Sequence, residues 1–140
     1  MLVFKNIDLK TNLKVDSVFA DKYMLETILR NLISNAIKYS NENSVISIET
    51  KLDNCNMVEF VVKDYGVGVS KEIIDELFKP IPVSTPGTHN ERGTGFGLLI
   101  CKEFVNKHSG TITIQSDKNT GTSLIFKIPN TTNTKTFINA

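Results

Sequence analysis

Polar and apolar residues follow two different periods along the chain, and the first of these periods is helical. Apolar residues recur every three or four positions over 23–39, directly after Asp21, whose carboxylate can cap a helix. The stripe consists of Met24, Leu25, Ile28, Leu29, Leu32, Ile33, Ala36 and Ile37. Similar spacing predicts a helix over 95–107 and a shorter one that is capped by Ser70 and ends at Phe78.

The second period is a strict alternation of apolar and polar residues, which predicts strands. Residues 1–15 alternate in this way and indicate either one strand or a bent pair. Two hairpins follow from further runs, which begin at Val45 and Met57 and at Thr111 and Thr122. Helices interspersed with hairpins are typical of α/β proteins. We therefore expect a two-layer sandwich, with a mixed, mostly antiparallel sheet of about five strands and about three helices on one face.

The composition fits a single domain and argues against some classes of binding partner. Of the 140 residues, 40% are hydrophobic, and 16 basic residues against 15 acidic ones give a net charge of +1. This balance argues against disorder and against a nucleic-acid partner. No apolar run is long enough to span a membrane, so we expect no membrane contact, and Cys55 and Cys101 form no C-x-x-C pair. We expect one domain over 1–129 and a polar C-terminal tail over 130–140.

The densest glycine cluster, G-T-G-F-G-L at 93–98, opens the predicted helix over 95–107. It follows the proline-rich segment 79–94, and a loop of this length is usually functional or mobile in a small domain. Free backbone N–H groups at the positive end of a helix form a phosphate cradle, although a flexible hinge would have the same sequence. No Gly-Lys-Ser/Thr follows, which excludes a P-loop, and Leu98 stands where a dinucleotide-binding motif needs a third glycine.

A second cluster, D-Y-G-V-G at 64–68, comes directly after an apolar strand. A carboxylate at the rim of a sheet can accept a hydrogen bond from an amine such as that of adenine. A plain turn after a strand is the alternative, because Asp and Gly are both common in turns.

A third set of polar residues lies along one face of the first predicted helix. Asn31, Asn35 and Lys38 are spaced i, i+4 and i+7, with Tyr39 at the flank. Carboxamide oxygens can bind Mg²⁺, and the ammonium group can neutralise a phosphate. The alternative is a solvated polar face, which is the commoner fate of such a row.

Taken in order, these clusters resemble the ATP-binding domain of the histidine kinases, in the superfamily shared with type II topoisomerases, heat-shock chaperone ATPases and mismatch-repair ATPases. The resemblance implies the Bergerat-type ATP-binding fold. It covers roughly residues 2–129. The matching segments are N-L-I-S-N-A-I-K-Y-S at 31–40, D-Y-G-V-G at 64–68, E-L-F-K-P at 76–80, G-T-G-F-G-L at 93–98 and the closing strand at 121–129.

The resemblance implies a role for each polar residue near the nucleotide. Asn35 would bind Mg²⁺ through its carboxamide oxygen, and Asn31 would help to hold the metal or its water. Lys38 would reach the phosphates, and Tyr39 would lie against the adenine. Asp64 would accept a hydrogen bond from the adenine amine, which would select ATP over GTP.

The resemblance also implies that the segment 79–94 is the nucleotide lid, from which Arg92 would swing onto the γ-phosphate. The glycines would leave backbone amides free for the phosphates or let the backbone pass close to the base, and Thr122 would hydrogen-bond near Asp64. The expected ATP-binding set is completed by Gly66, Gly68, Arg92, Gly93, Thr94, Gly95, Phe96, Gly97, Leu98 and Thr122.

The implied activity is that of a protein-histidine kinase, with Asn31, Asn35 and Lys38 as its catalytic residues. Asn31 stands where the superfamily's hydrolases have a glutamate that activates water, so the residue favours phosphoryl transfer over hydrolysis. Neither His89 nor His108 lies in the helical His-acidic context of the family's phosphoacceptor.

The expected partners are therefore ATP or ADP, the parent protein's own histidine-bearing dimerisation domain, and the receiver domain of a response regulator. We expect a cytoplasmic location, in a parent protein of a kind that is often membrane-anchored in this family. The alternatives are a nucleotide-binding regulatory module without transfer, and an ATPase of the same superfamily.

Overall fold

Strands and helices make up most of the part of the chain that the computed structural model describes, which is residues 6–15, 17–66, 68, 70–72, 74, 97–117 and 120–130. The elements are β1 (Asp8–Leu13), α1 (Lys22–Tyr39), β2 (Val45–Leu52), β3 (Met57–Asp64), α2 (Gly97–Lys107), β4 (Thr111–Asp117) and β5 (Gly121–Pro129).

The strands form one five-stranded sheet in the order β1-β2-β3-β5-β4. β1 is parallel to β2, and the other three pairings are antiparallel. The prediction of a mixed, mostly antiparallel sheet of five strands is confirmed. β3 is the central strand, and its last residue, Asp64, pairs with Ile46 on one side and Thr122 on the other.

The core lies between this sheet and the two helices, which cover one of its faces. Alternate side chains of β3 and β5 are buried beneath the helices, and Phe60 and Phe126 stack with their ring centroids 4.3 Å apart. The opposite face carries ion pairs of Glu59 with Lys51 and Lys127. Burying a large apolar side chain contributes about 1.5–3 kcal/mol, so this single-sided arrangement is the main source of stability.

α1 begins where the sequence predicts a cap. The Met24 N–H donates to Asp21 Oδ1 at 2.9 Å, and the helix starts at Lys22, directly after the cap. Its buried side chains are Leu25, Ile28, Leu32, Ala36 and Tyr39.

The sequence favours Gly110 as the C-terminal cap of α2, but the helix ends in a Schellman motif whose left-handed residue is Ser109. Ser109 has φ of 59°, and the Gly110 N–H donates to the Val105 carbonyl at 3.0 Å. A Cβ on Gly110 would collide with the Lys127 carbonyl oxygen of β5. Glycine is therefore required at position 110 by a close approach to the sheet.

Two further predictions near the ends of elements can be compared with the structure. Of the run over 1–15, residues 8–13 form the exposed edge strand β1, and residues 1–5 lie outside the described residues. Of the short helix predicted after Ser70, residues 71, 72 and 74 are helical, and the Ile74 N–H donates to the Ser70 carbonyl at 3.0 Å. Phe78 lies outside the described residues. Among the described residues there are thus two long helices and part of the predicted third.

A large apolar groove, with a volume of about 800 Å³, lies between α1 and the ends of β1, β2 and β3. Its lining includes Leu13, Phe19, Leu25 and Ile33. Leu13 pairs with Thr50 and so lies towards the start of β3, whereas Asp64 ends that strand. The groove is therefore remote from the polar cluster around Asp64.

Neither α1 nor α2 is long and apolar enough to cross a membrane, and the same holds for the rest of the described ranges.

Candidate functional site

Asp64 is a buried carboxylate at the end of the central strand. Only 2% of its surface is exposed. Its Oδ1 accepts hydrogen bonds from the Gly66 N–H at 2.9 Å and the Thr122 N–H at 3.3 Å. Within the described residues, Oδ2 accepts no hydrogen bond and Asp64 forms no ion pair. One oxygen therefore holds the local backbone, while the other is available to a donor.

Burial dominates the electrostatics of this carboxyl group. Desolvation raises the pKa of Asp64, and the hydrogen bonds from Gly66 and Thr122 offset part of that rise. The net pKa is above the ordinary value of 3.8. No buried side-chain oxygen or nitrogen of the described residues lacks a hydrogen-bond partner, so Oδ2 is reached from outside the protein, where a ligand that brings a donor can bind it.

Thr122 lies directly across from Asp64 in β5, and two hydroxyl groups meet beside it. Thr122 Oγ1 is 2.9 Å from Ser116 Oγ in β4, and Ser116 Oγ donates to the Gly121 carbonyl at 3.1 Å. The Thr122 backbone N–H bonds Asp64 while the hydroxyl faces Ser116. Ser116 was not among the predicted site residues. The sequence feature that could have identified Ser116 is the alternating pattern of the final hairpin, in which Ser116 pairs with Thr122.

Gly66 joins the turn after β3 to the end of α1. A Cβ at this position would collide with the Tyr39 carbonyl oxygen and would come within 3.1 Å of Ser40 Cα. Gly68 has φ of 73°, a left-handed conformation that favours glycine. The structure thus supplies a packing reason for Gly66 and a conformational reason for Gly68, and their expected proximity to a base stays a prediction.

The polar row of α1 approaches α2 at Asn31. Asn31, Asn35 and Lys38 are all half-buried. The Asn31 Nδ2 group donates to the Thr27 carbonyl at 2.9 Å, and Asn31 Oδ1 lies 2.9 Å from where a Cβ on Gly97 would stand. Asn31 therefore lies beside Gly97 of α2, and residues of two of the sequence clusters meet in space.

The described part of α2 begins at Gly97. The first four N–H groups of an α-helix lack intrahelical partners and mark the positive end of its dipole. Leu98 is buried in the core, so its side chain anchors the turn and only its backbone can face a ligand. The other predicted residues of this segment, Arg92, Gly93, Thr94, Gly95 and Phe96, lie outside the described residues, as do the segment 79–94 and His89.

Lys38 and Tyr39 are adjacent at the end of α1. The Lys38 ammonium lies 5.3 Å from the centroid of the Tyr39 ring, within cation–π range. Tyr39 is only 5% exposed, so its ring is almost fully covered by the protein. Lys38 is consequently the more accessible of the two to a ligand.

The donor set of this region fits a hard divalent cation bound together with a phosphate-bearing ligand. No group of three or more His, Cys, Asp or Glu side chains is arranged to hold a metal ion in the described ranges. The half-buried carboxamides of Asn31 and Asn35 supply neutral oxygen atoms, and Mg²⁺ typically binds through few protein ligands plus substrate phosphates and water. The residues present therefore fit Mg²⁺ that arrives with a nucleotide.

His108 and Cys101 are structural residues. His108 is 3% exposed, its Nδ1 lies 2.8 Å from the Phe104 carbonyl oxygen, and its Nε2 accepts the Asp21 N–H at 3.0 Å. These contacts link the end of α2 to the cap of α1. Burial raises the pKa of the Cys101 thiol to about 12, which keeps it protonated within the core.

Most of the chain matches one known protein family. The family model described as histidine kinase-, DNA gyrase B- and HSP90-like ATPase matches residues 20–132. The chain is 35% identical over 129 residues to the adaptive-response sensory kinase SasA of Prochlorococcus marinus, covering 89% of this chain and 33% of that protein. It is 33% identical over 128 residues to the sensor protein EvgS of Escherichia coli O157:H7, covering 84% of this chain and 10% of that protein. It thus spans a third or less of the length of these two relatives.

Solved structures show the same architecture. The nucleotide-free catalytic domain of the histidine kinase ThkA superposes with a TM-score of 0.76 at 31% identity, over 90% of this chain and 80% of that one. ThkA in complex with the response regulator TrrA gives a TM-score of 0.71 at 28% identity, over 91% of this chain and 35% of that one.

Proposed function

Since this chain belongs to the family of histidine kinase-, DNA gyrase B- and HSP90-like ATPases, we propose that it is the catalytic domain of a sensor histidine kinase. It binds Mg-ATP and transfers the γ-phosphoryl group to a histidine on a separate dimerisation domain, for relay to a response regulator. The catalytic domain spans 1–129 in this proposal, and 130–140 follows it as a polar tail.

The buried carboxylate of Asp64 is the observation that carries the proposal. Its Oδ1 is engaged by two backbone N–H groups, and its Oδ2 accepts nothing from the described residues. An acceptor in this state matches the exocyclic amine of adenine and repels the carbonyl oxygen that guanine has at the same position.

The phosphates would lie between α1 and the start of α2. Asn31 approaches Gly97 of α2, which supports this placement, because free N–H groups at the start of that helix would favour an anion. Asn35, with Asn31, would hold Mg²⁺, which supplies charge neutralisation to the phosphates when bound. Lys38 would add a positive charge beside them.

The chemistry of Asn31 supports transfer rather than hydrolysis. Its amide nitrogen donates to the Thr27 carbonyl, and its oxygen carries no negative charge, so the side chain cannot take a proton from water. Phosphoryl transfer mainly requires positioning and charge neutralisation, which this arrangement can provide.

The phosphoacceptor lies elsewhere in this proposal. His108 is buried and both of its ring nitrogens face backbone groups, so it is a poor nucleophile. A response regulator as the later partner is supported by the complex of ThkA with TrrA, whose kinase shares this fold.

Calorimetric titration with ATP, ADP and GTP, each with and without Mg²⁺, tests nucleotide binding. We expect ATP to bind more tightly than GTP, and Asp64→Asn to weaken ATP binding by about 1–3 kcal/mol, because its amide presents a donor as well as an acceptor. Asp53→Asn is the matched control, because Asp53 also accepts backbone N–H groups in a turn but precedes β3 at the opposite end of the strand. Equal ATP affinity in the two variants would contradict the assignment of Asp64 to the nucleotide-binding site.

Transfer is tested separately, by adding a cognate dimerisation domain and assaying for acid-labile phosphohistidine. ATP binding without phosphohistidine would indicate the regulatory module, and steady release of phosphate by the domain alone would indicate an ATPase.

A further inference from the structure

β1 forms one outer edge of the sheet, and within the described ranges it pairs with β2 alone. Every residue of β1 is exposed, and its two leucines, Leu9 and Leu13, keep 50% and 52% of their surface accessible. Both leucines lie on the face that the helices cover, because Leu13 lines the apolar groove there and Leu9 precedes it by four residues. An exposed edge with apolar side chains is a template for a further strand.

Alternate backbone groups of β1 point away from β2. The N–H groups of Asp8, the first residue of β1, and of Lys14, directly after its end, donate inwards to carbonyls on the β2 side at 3.0 and 3.1 Å. Successive residues of a strand direct their backbone groups to opposite sides, so those of Leu9, Thr11 and Leu13 face outwards. An antiparallel partner must therefore place its own outward-facing residues opposite these three.

One antiparallel alignment of β1 with a second copy of itself matches both charge and hydrophobicity. When Thr11 lies opposite Thr11, Leu9 of each copy lies opposite Leu13 of the other, and Asp8 lies opposite Lys14. The leucine pairs fall on the helix-covered face, and the pairs of opposite charge fall on the other face. Both kinds of cross-strand pair stabilise a sheet.

Charge disfavours the two neighbouring alignments. A shift of one copy by two residues is the smallest that keeps outward-facing groups opposite each other. In one direction it places Lys10 opposite Lys10, and in the other it places Lys10 opposite Lys14. Like charges directly opposite each other destabilise a strand pair. The lysines of this edge therefore select the alignment that is centred on Thr11.

We propose that two copies of this chain associate through β1, antiparallel about Thr11, and join their sheets into one. Leu9 of one copy then packs against Leu13 of the other at the rim of the apolar groove, and the outward-facing backbone groups of both strands become paired. Each copy uses the same edge, so this contact closes at two copies. The inference goes beyond the proposed function and does not depend on nucleotide binding.

Sedimentation equilibrium between about 20 µM and about 1 mM chain, at low ionic strength, measures this association. A strand of six residues buries little area, so we expect a weak dimer whose population rises over this range. Thr11→Pro should abolish it, because proline removes an outward-facing N–H group and leaves the hydrogen bonds to β2 in place. Thr11→Ala keeps that N–H group and is the matched control, which should still dimerise.

Reversal of charge tests the alignment independently of the proline variant. We expect Asp8→Lys to raise the dissociation constant of the dimer about tenfold, because two like-charged pairs replace two pairs of opposite charge. Adding Lys14→Asp to Asp8→Lys should restore most of the affinity. Glu103→Lys makes the same change of charge on an exposed position of α2 and is the matched control, with an expected change of less than about twofold.

Thermal melting shows whether each variant remains folded. A wild type that sediments as a single chain up to about 1 mM overturns the inference, whatever its affinity for ATP. Undiminished dimerisation of folded Thr11→Pro, or of Asp8→Lys, also overturns it, because the copies would then meet elsewhere. Failure to bind ATP would overturn the proposed function and leave this inference standing.

Discussion

At the scale of single residues, the ionised side chain of Asp64 lowers the stability of the folded protein. A buried carboxylate with only two backbone donors is less well solvated than in water, which is why its pKa is raised. An acid with a raised pKa holds its proton more tightly in the folded chain, so ionisation destabilises the fold. This loss develops as the pH rises from the unfolded pKa, near 3.8, to the folded pKa, and is constant above it.

Replacement of Asp64 should therefore stabilise the nucleotide-free protein at neutral pH. Asn keeps one carbonyl oxygen for the Gly66 and Thr122 N–H groups and carries no charge. We expect Asp64→Asn to melt at a higher temperature than the wild type at pH 7.5, and this difference to shrink towards pH 4. A lower melting temperature for the variant at pH 7.5 would show that the carboxylate is stabilising.

At the scale of elements, two glycines join neighbouring elements, and their contacts differ in kind. Gly66 packs against backbone, the carbonyl of Tyr39 at the end of α1, whereas Gly97 packs against the end of a side chain, Asn31 Oδ1. Backbone at a helix end cannot easily move aside, but an amide side chain can adopt another rotamer. The first contact therefore determines stability, and the second determines the position of a site residue.

Alanine at each of these positions should separate the two effects. We expect Gly66→Ala to lower the free energy of unfolding by about 1–3 kcal/mol, as measured by urea denaturation. Gly97→Ala should change it by only about 0.5 kcal/mol but should weaken Mg-ATP binding by displacing Asn31. Equal losses of stability in the two variants would contradict this assignment.

At the scale of the whole molecule, Cys101 is fully buried in the core between the sheet and the helices. This thiol is buried and its pKa is about 12, whereas Cys55 is exposed in a turn. The hydrophobic cluster that includes Cys101 contains residues of both helices and of β2, β3 and β5. A reagent can reach this thiol only when the two layers separate, so its modification reports opening of the core.

Thiol labelling should therefore distinguish the two cysteines and detect nucleotide binding. We expect Cys55 to react rapidly and Cys101 slowly, with both reacting in denaturant. Mg-ATP at ten times its dissociation constant should slow the Cys101 reaction about tenfold, because the ligand binds the folded state, and should leave Cys55 unchanged. Rapid labelling of Cys101 in the native protein would contradict a sealed core.

Much of the fold was predictable because it depends on neighbours in sequence. The helical stripe on 23–39 and its Asp21 cap, and the alternation in the strands, are local patterns, and the structure confirms them. Position 110 shows the limit of this reasoning. Its glycine was interpreted as a helix cap, but the left-handed residue is Ser109, and the reason for Gly110 is the carbonyl of Lys127 on another strand.

The sequence alone determined which elements form, which of their faces are apolar, and which residue types are available for chemistry, because these follow from the period and composition of short segments. Only the tertiary structure decided that Asn31 meets Gly97, that Gly66 meets Tyr39, and that Thr122 meets Asp64. These contacts join residues that are remote in sequence. They depend on how the elements pack, which no local pattern specifies.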